Sequence, residues 1–197
     1  MNYYISDLHL FSMNQLDNGG RNYDGRKYRT LEEMHGDIKK RWNDKVTNGD
    51  RVYILGDVAV RGRNDDLIAL TAQLKGKKVL IRGNHDDIND LRYKQLFTGI
   101  SDYEEIYDSF GGRTYRLVLC HYPILMWNGQ HKGSILLYGH THDSAEDGFF
   151  QDCIRRMNEN PEIRRDGEQE FRAYNVGCMK GYMDYTPSSL QEIIGGA

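Results

Sequence analysis

The sequence predicts an α/β protein, and three observations carry that expectation. Short runs rich in β-branched, aromatic and leucine residues recur along the chain, each stopping at a small or polar residue. The gaps between the first three runs hold apolar residues at helical spacing. The resulting order of strand, helix, strand, helix, strand is that of parallel β-α-β units, which close with right-handed crossovers.

The first strand is Asn2-Tyr-Tyr-Ile-Ser6, and it delivers Asp7 at its carboxyl end. The polar stretch from Phe11 to Tyr28, rich in Asn, Gly, Arg and Tyr, reads as a long loop of the kind that is commonly functional. Thr30-Leu31-Glu32-Glu33 is a capping box. It opens a helix with Leu31, Met34, Ile38, Trp42 and Val46 on one face, ending near Asn48-Gly49. Arg51-Val-Tyr-Ile-Leu55 is the second strand and leads to Gly56-Asp57. Leu67, Leu70, Thr71 and Leu74 mark a second helix, and Lys78-Val-Leu-Ile-Arg82 is the strand before Gly83-Asn84-His85-Asp86. Ile88, Leu91 and Gln95-Leu96 mark a shorter third helix. Tyr115-Arg-Leu-Val-Leu-Cys120 precedes His121, and Ile135-Leu-Leu-Tyr138 precedes Gly139-His140-Thr141-His142; these later strands are spaced as hairpins or short returns. Phe149, Phe150, Cys153, Ile154 and Met157, within 147–169, recur at helical spacing and read as a core-facing helix, with a cap beside the strand ends as the alternative.

Composition bounds the rest. A chain of 197 residues is one domain, 1–197, able to bury about 70% of its unfolded surface. Its net charge of −3 argues against generic nucleic-acid wrapping. No 18-residue apolar run and no leader precede a strand that starts at the second residue, so neither a membrane nor an export route is expected. Cys120, Cys153 and Cys178 are odd in number, widely spaced and without a CxxC, which places the chain in a reducing, cytoplasmic setting.

Five motifs carry the chemistry: Asp7-Leu8-His9, Gly56-Asp57, Gly83-Asn84-His85-Asp86, His121 before Tyr122-Pro123, and Gly139-His140-Thr141-His142. Alone, Asp7 reads as a turn residue, Asp57 as a helix cap and His121 as a strand-end histidine bonded to backbone. Together, in this order, they supply two Asp, one Asn and four His as ligands, with one further His. Attack on phosphorus needs hydroxide at neutral pH and positive charge on the attacking and leaving oxygens, and two divalent ions about 3.5–4 Å apart supply both. Mixed N/O donors suit Mn, Fe or Zn rather than Mg or Ca.

The motif series D-x-H, G-D, G-N-H-[DE], a lone H and G-H-x-H resembles that of the calcineurin-like metallophosphoesterase superfamily, over residues 7 to 142. The tail Tyr174-Asn-Val-Gly-Cys178 with Tyr185-Thr-Pro-Ser-Ser-Leu-Gln-Glu192 is similar to small bacterial and phage members. The resemblance implies a four-layer α/β/β/α sandwich and a metal-dependent hydrolase of phosphate mono- or diesters. It implies two divalent ions, manganese first, with iron, zinc or nickel as alternatives. Carried across by motif, Asp7, His9, Asp57 and His142 hold one ion and Asp57, Asn84, His121 and His140 the other, Asp57 bridging. Asn84 also faces the substrate, and His85 sits beside the scissile phosphate without binding metal. Arg61 lies where the protein-phosphatase branch carries an Arg that clamps phosphate oxygens. Val60 replaces the acid that orients the catalytic His in that branch, so Asp86 or a backbone carbonyl is expected in that role. Met179 replaces an Asp usual in the tail, which argues against a supporting role for that segment. His35 and His131 match no motif and read as structural or solvent-facing.

The expected partner is a small phosphorylated substrate; oligomeric state is not legible. Two alternatives differ in class. A nuclease of the same superfamily would use a rim of Arg21, Arg26, Lys27, Arg29 and Lys39 to Arg41, although Asp24, Glu32 and Glu33 interrupt it. A non-catalytic scaffold, as in the retromer subunit that shares this fold, would be expected to lack ligands that are present here.

Overall fold

The computed structural model describes residues 1–18, 21–59 and 64–197. Strand β1 (Asn2–Ile5), helix α1 (Leu31–Lys45), β2 (Arg51–Ile54), α2 (Asn64–Ala72), β3 (Lys77–Ile81), α3 (Leu91–Lys94) and β4 (Phe97–Ser101) follow in order. They build a parallel sheet β1-β2-β3-β4. A second sheet, β5-β6-β7-β8, follows. It begins with the antiparallel hairpin of β5 (Tyr103–Phe110) and β6 (Arg113–Cys120). The hairpin turns through Gly111 and Gly112 at φ of 58° and 75°, both left-handed, as a two-residue hairpin turn compatible with the strand twist requires. Strands β7 (Ile135–Tyr138) and β8 (Arg172–Asn175) then add in parallel, separated by α4 (Ala145–Glu159). The short α5 (Leu190–Gly196) ends the chain.

Side-chain alternation sets the layers. In β6 and β7, Leu117, Leu119, Ile135 and Leu137 share one core with the first sheet, whereas Val118, Cys120, Leu136 and Tyr138 join Phe150, Ile154 and Met157 of α4. Both faces are covered over Leu117–Cys120 and Ile135–Tyr138, so these stretches are apolar throughout instead of alternating. In β1, Lys45 of α1 lies over the Tyr3 ring, while the Tyr4 hydroxyl donates to Asp108 of β5. The result is the expected four-layer α/β/β/α sandwich.

Helix α1 buries Met34, Ile38 and Trp42, each contributing about 1.5–3 kcal/mol by leaving water. Thr30 caps it through Glu33 N–H, and the Glu33 carboxylate reaches back to Arg29 N–H. Two expectations need correction, and two strands were not foreseen. The third helix is a single turn. Strands β4 and β5, polar and only weakly alternating, carry no strong sequence pattern. The later strands are not all hairpins, because β6, β7 and β8 run parallel. Helix α4 packs against the second sheet as expected, but Phe149 faces solvent at 73% exposure, one residue round from buried Phe150.

Candidate metal centre

The carboxyl ends of β1, β2, β3, β6 and β7 meet where the two sheets converge, the crevice in which open α/β sheets bind ligands. Ser6 and Cys178 sew the seam: Ser6 N–H donates to Val176 C=O and Cys178 N–H to Ser6 C=O. Asp7 N–H donates to Gly56 C=O, His9 N–H to Asp57 C=O and Gly139 N–H to His121 C=O. Five of the implied ligands, Asp7, His9, Asp57, His140 and His142, have left-handed backbones, at φ between 46° and 71°. Such conformations cost on the order of 1–3 kcal/mol each outside glycine and cluster at functional sites. Gly139 permits a close approach of the two sheets: a Cβ there would lie 2.4 Å from Ser6 Oγ and 2.5 Å from Asp7 Oδ2.

The donor atoms form a continuous cluster. His9 Nε2 and His142 Nε2 face each other at 3.1 Å, and Asp7 Oδ1 lies 3.9 Å and 3.7 Å from them. Asp57 Oδ2 stands 3.5 Å from His9 Nε2 and 3.6 Å from His121 Nε2, while its Oδ1 accepts from His85 N–H at 2.9 Å. Asn84 Oδ1 lies 3.1 Å from His121 Nε2 and 3.0 Å from His140 Nδ1. Three groups, Asp7/His9/His142, His9/Asp57/His85 and Asp7/Asp57/His121, each bring their ligand atoms within 4.8 Å of one another. Asp57 therefore touches both halves of the cluster from one oxygen.

The proton positions test whether a cation fits. His121 Nδ1 is 2.7 Å from Leu55 C=O and His142 Nδ1 is 2.8 Å from the Asp24 carboxylate. Both partners only accept, so each Nδ1 carries a hydrogen, and in the neutral ring Nε2 is then the lone-pair atom. His121 Nε2 faces Asn84 Oδ1 at 3.1 Å and Asp57 Oδ2 at 3.6 Å, so that in the neutral ring three ligand atoms converge where a cation would hold them together. Burial pushes His9 well below the ordinary histidine range, with His142 and Arg26 adding to it, and burial lowers His140 too. Neutral imidazoles are the ligating form. Burial raises the Asp7 carboxyl, against the pull of His142 and His121. This donor set fits divalent transition ions.

His85 is exposed; its ring meets His9 edge-on at 5.2 Å. Asp86 does not orient it: its carboxylate accepts from the backbone N–H groups of Asp57, Val58 and Gly83 at 2.8–2.9 Å, tying the second motif to the third. Arg61 and Val60 lie outside the described residues. His35 is structural, its Nε2 accepting from Phe11 N–H, and His131 pairs with Glu168.

Four supporting residues lie outside the ligand set that the motifs imply. Asn175 donates to His142 C=O at 2.8 Å and to Asp147 Oδ1 at 2.9 Å. Asp147 also accepts from Tyr138, Thr141 and Lys180. The tail therefore does brace the Gly139–His142 turn, through Asn175 and Lys180, despite Met179. Asp24 and Arg26, from the 11–28 loop, form a buried ion pair at 2.9 Å beside His142; the one hint in the sequence is the alternation Asp24, Arg26, Tyr28, all three buried.

The same loop walls a cleft of about 290 Å³ over the cluster, lined by Ser12, Asn14, Gln15, Arg21 and Tyr23 opposite Asn84, His85 and His140. A larger hollow of about 530 Å³ between α4 and β8 shares no residue with the five motifs. Among the described residues, no helix is long and apolar enough to cross a membrane.

Comparison with known proteins agrees with this geometry. The chain is 28% identical to the Gene 66 protein of Mycobacterium phage D29, covering 71% of this chain and 77% of that one. It is 30% identical to an uncharacterised protein of Methanocaldococcus jannaschii, covering 75% and 72%. In fold it is similar to a protein of unknown function from Aquifex aeolicus, with a TM-score of 0.67 over 99% and 98% of the two chains at 22% identity. The profile of the calcineurin-like phosphoesterase family matches residues 3–167, and the chain belongs to that family.

Proposed function

We propose that this protein is a phosphoesterase with two divalent ions, one held by Asp7, His9, Asp57 and His142 and the other by Asp57, Asn84, His121 and His140. The observation that carries the reading is the placement of Asp57 Oδ2, nearly equidistant from His9 and His121 in a buried cluster of nitrogen and oxygen ligand atoms. When bound, the two ions would supply hydroxide at neutral pH and draw charge from the phosphoryl oxygens. Manganese is the first candidate by family resemblance, with iron, zinc or nickel next, and the four imidazole donors also suit those three.

The chain's own residues do the rest. His85, exposed at the mouth of the cluster, protonates the leaving oxygen, worth typically about 10²–10⁴-fold for positioned proton transfer. Arg21 is the only Lys or Arg among the described residues lining the cleft, and its fork can hold two phosphate oxygens at once. Arg21→Lys is expected to weaken inhibition by inorganic phosphate while metal content stays constant. A cleft of this size suits a small phosphorylated substrate. The nuclease alternative loses support because three members of its basic rim are taken up: Arg26 is buried against Asp24, Arg41 pairs with Asp37 and Asp184, and Lys40 with Asp44.

The deciding experiment is hydrolysis of bis-p-nitrophenyl phosphate against p-nitrophenyl phosphate with added Mn, Ni, Zn or Mg. Metal-dependent turnover of either ester supports the reading and sorts diesterase from monoesterase. No turnover of either by metal-loaded protein rejects it.

A further inference from the structure

The buried pair in the 11–28 loop is placed to act on the metal cluster without joining it. The Arg26 guanidinium is wholly buried and spends its donors in two directions. Nε and Nη2 grip both oxygens of Asp24 at 2.9–3.1 Å. Nη1 donates to Leu8 C=O at 2.7 Å and Nη2 to Asp7 C=O at 2.6 Å, the backbone that presents Asp7 and His9. Asp24 Oδ2 in turn takes the Nδ1 proton of His142 at 2.8 Å. The Tyr23 ring stands edge-on to the same imidazole at 5.4 Å, which limits its rotation. A single short segment thus holds the turn after β1, in the first sheet, and the turn after β7, in the second.

We propose that Asp24, braced by Arg26, is the positioning residue of this centre: it fixes His142 with hydrogen on Nδ1 and its Nε2 lone pair turned toward His9 and Asp7, so that this ion's ligands are oriented before it arrives. The inference rests on the two-ion reading. A carboxylate can only accept, so it dictates the tautomer. An amide in its place can accept or donate, and the wrong choice puts hydrogen on Nε2, where the lone pair is needed. Partners of this kind typically govern about 10–100-fold in metal affinity.

The test is Mn²⁺ titration by calorimetry of wild type and Asp24→Asn, with the visible spectrum of the Co²⁺-loaded proteins as a second readout. Wild type is expected to take two ions. Asp24→Asn is expected to keep one at wild-type affinity, bind the other about 10–100-fold more weakly, and change the cobalt spectrum of that ion only. Ile38→Ala, a core cavity remote from the cluster, controls for lost stability and should leave both affinities unchanged. Should Asp24→Asn fail to fold because Arg26 is stranded, the double variant Asp24→Asn/Arg26→Gln removes that charge and is read the same way. Two ions bound by the Asp24 variant as tightly as by wild type overturn this proposal alone. Equal weakening of both ions, or the same weakening in Ile38→Ala, makes Asp24 merely structural and also overturns it. Wild type that takes no ions rejects the centre itself.

Discussion

Replacing Arg26 with Met should be among the most damaging single changes in this chain. The side chain is 0% exposed, and its removal strands the Asp24 carboxylate and strips the carbonyls of Asp7 and Leu8 of their Arg26 donors. Breaking a buried ion pair by removing one partner costs about 3–5 kcal/mol. Each orphaned buried carbonyl adds about 1–3 kcal/mol before relaxation. Because the site relaxes as a unit, about 4–6 kcal/mol is expected in all. That is a large share of the roughly 5–15 kcal/mol that holds a domain folded. At about 2–4 °C per kcal/mol for a chain of this size, the melting temperature should fall by about 8–24 °C. Urea and thermal unfolding with chelator present isolate this from metal binding. The double variant Arg26→Met/Asp24→Leu should recover part of the loss, since an apolar pair is often no worse than a buried ionic one. A loss below about 1 kcal/mol, the value of a surface pair, would refute the reasoning and return Arg26 to the solvent-facing rim that its charge alone suggests.

Three further outcomes are expected. Asp57→Ala should lose the paired site and not one ion alone, read by metal analysis after manganese loading; a variant that retains two ions removes the bridging role. His85→Asn should keep both metals, cut turnover of alkyl phosphates heavily and comparatively spare p-nitrophenyl esters, whose leaving group needs no proton. Equal losses on both would favour electrostatic stabilisation, and loss of metal would make His85 a ligand. Burial pushes the Cys178 thiol from 9.0 up to about 12, so at pH 8 roughly one molecule in ten thousand carries the thiolate there. Alkylation should therefore reach Cys153 well before Cys178 in folded protein. The sign for stability follows: the unfolded thiol ionises from about pH 9 and the folded one only near 12, so stability is full below pH 9 and falls between. Cys178→Ala should flatten that fall, and an unchanged slope would discount the buried thiol.

What the sequence disclosed was whatever depends on neighbours in the chain. Strand-end motifs such as Asp7-Leu8-His9 and Gly139-His140-Thr141-His142 are read locally, because the strand that aims them immediately precedes them. The α1 face from Met34 to Trp42 was legible for the same reason: period and burial coincide. Asp24 and Arg26 were not, since charged residues in a Gly- and Asn-rich loop look solvated until another part of the chain covers them. Asp147 is likewise an ordinary residue whose meaning lies in the distance it bridges, and Asn175, although it sits in the tail run that resembles the family's, gave no sign of which turn it braces. Strands β4 and β5 escaped notice because Thr98, Glu104 and Asp108 dilute the alternation that packing enforces. Asp86 was misread through analogy: the acid is close in sequence to His85, but three backbone N–H groups claim its carboxylate.

The covering of β1 by the tail has a consequence for how the molecule is made. Ser188 exchanges both backbone hydrogen bonds with Tyr4, and Val176 and Cys178 flank Ser6 in the same way. A ribosome delivers Asp7 well before the groups that lock the turn around it, which emerge some 170 positions later. Throughout elongation the nascent β1 keeps an unpaired edge, which is open to pairing with another chain. Metal supplied during synthesis would meet scattered ligands, and supplied after release it would meet a finished cage. Refolding with manganese added before or after dilution from denaturant mimics the two orders, and late addition should give the higher yield of active protein.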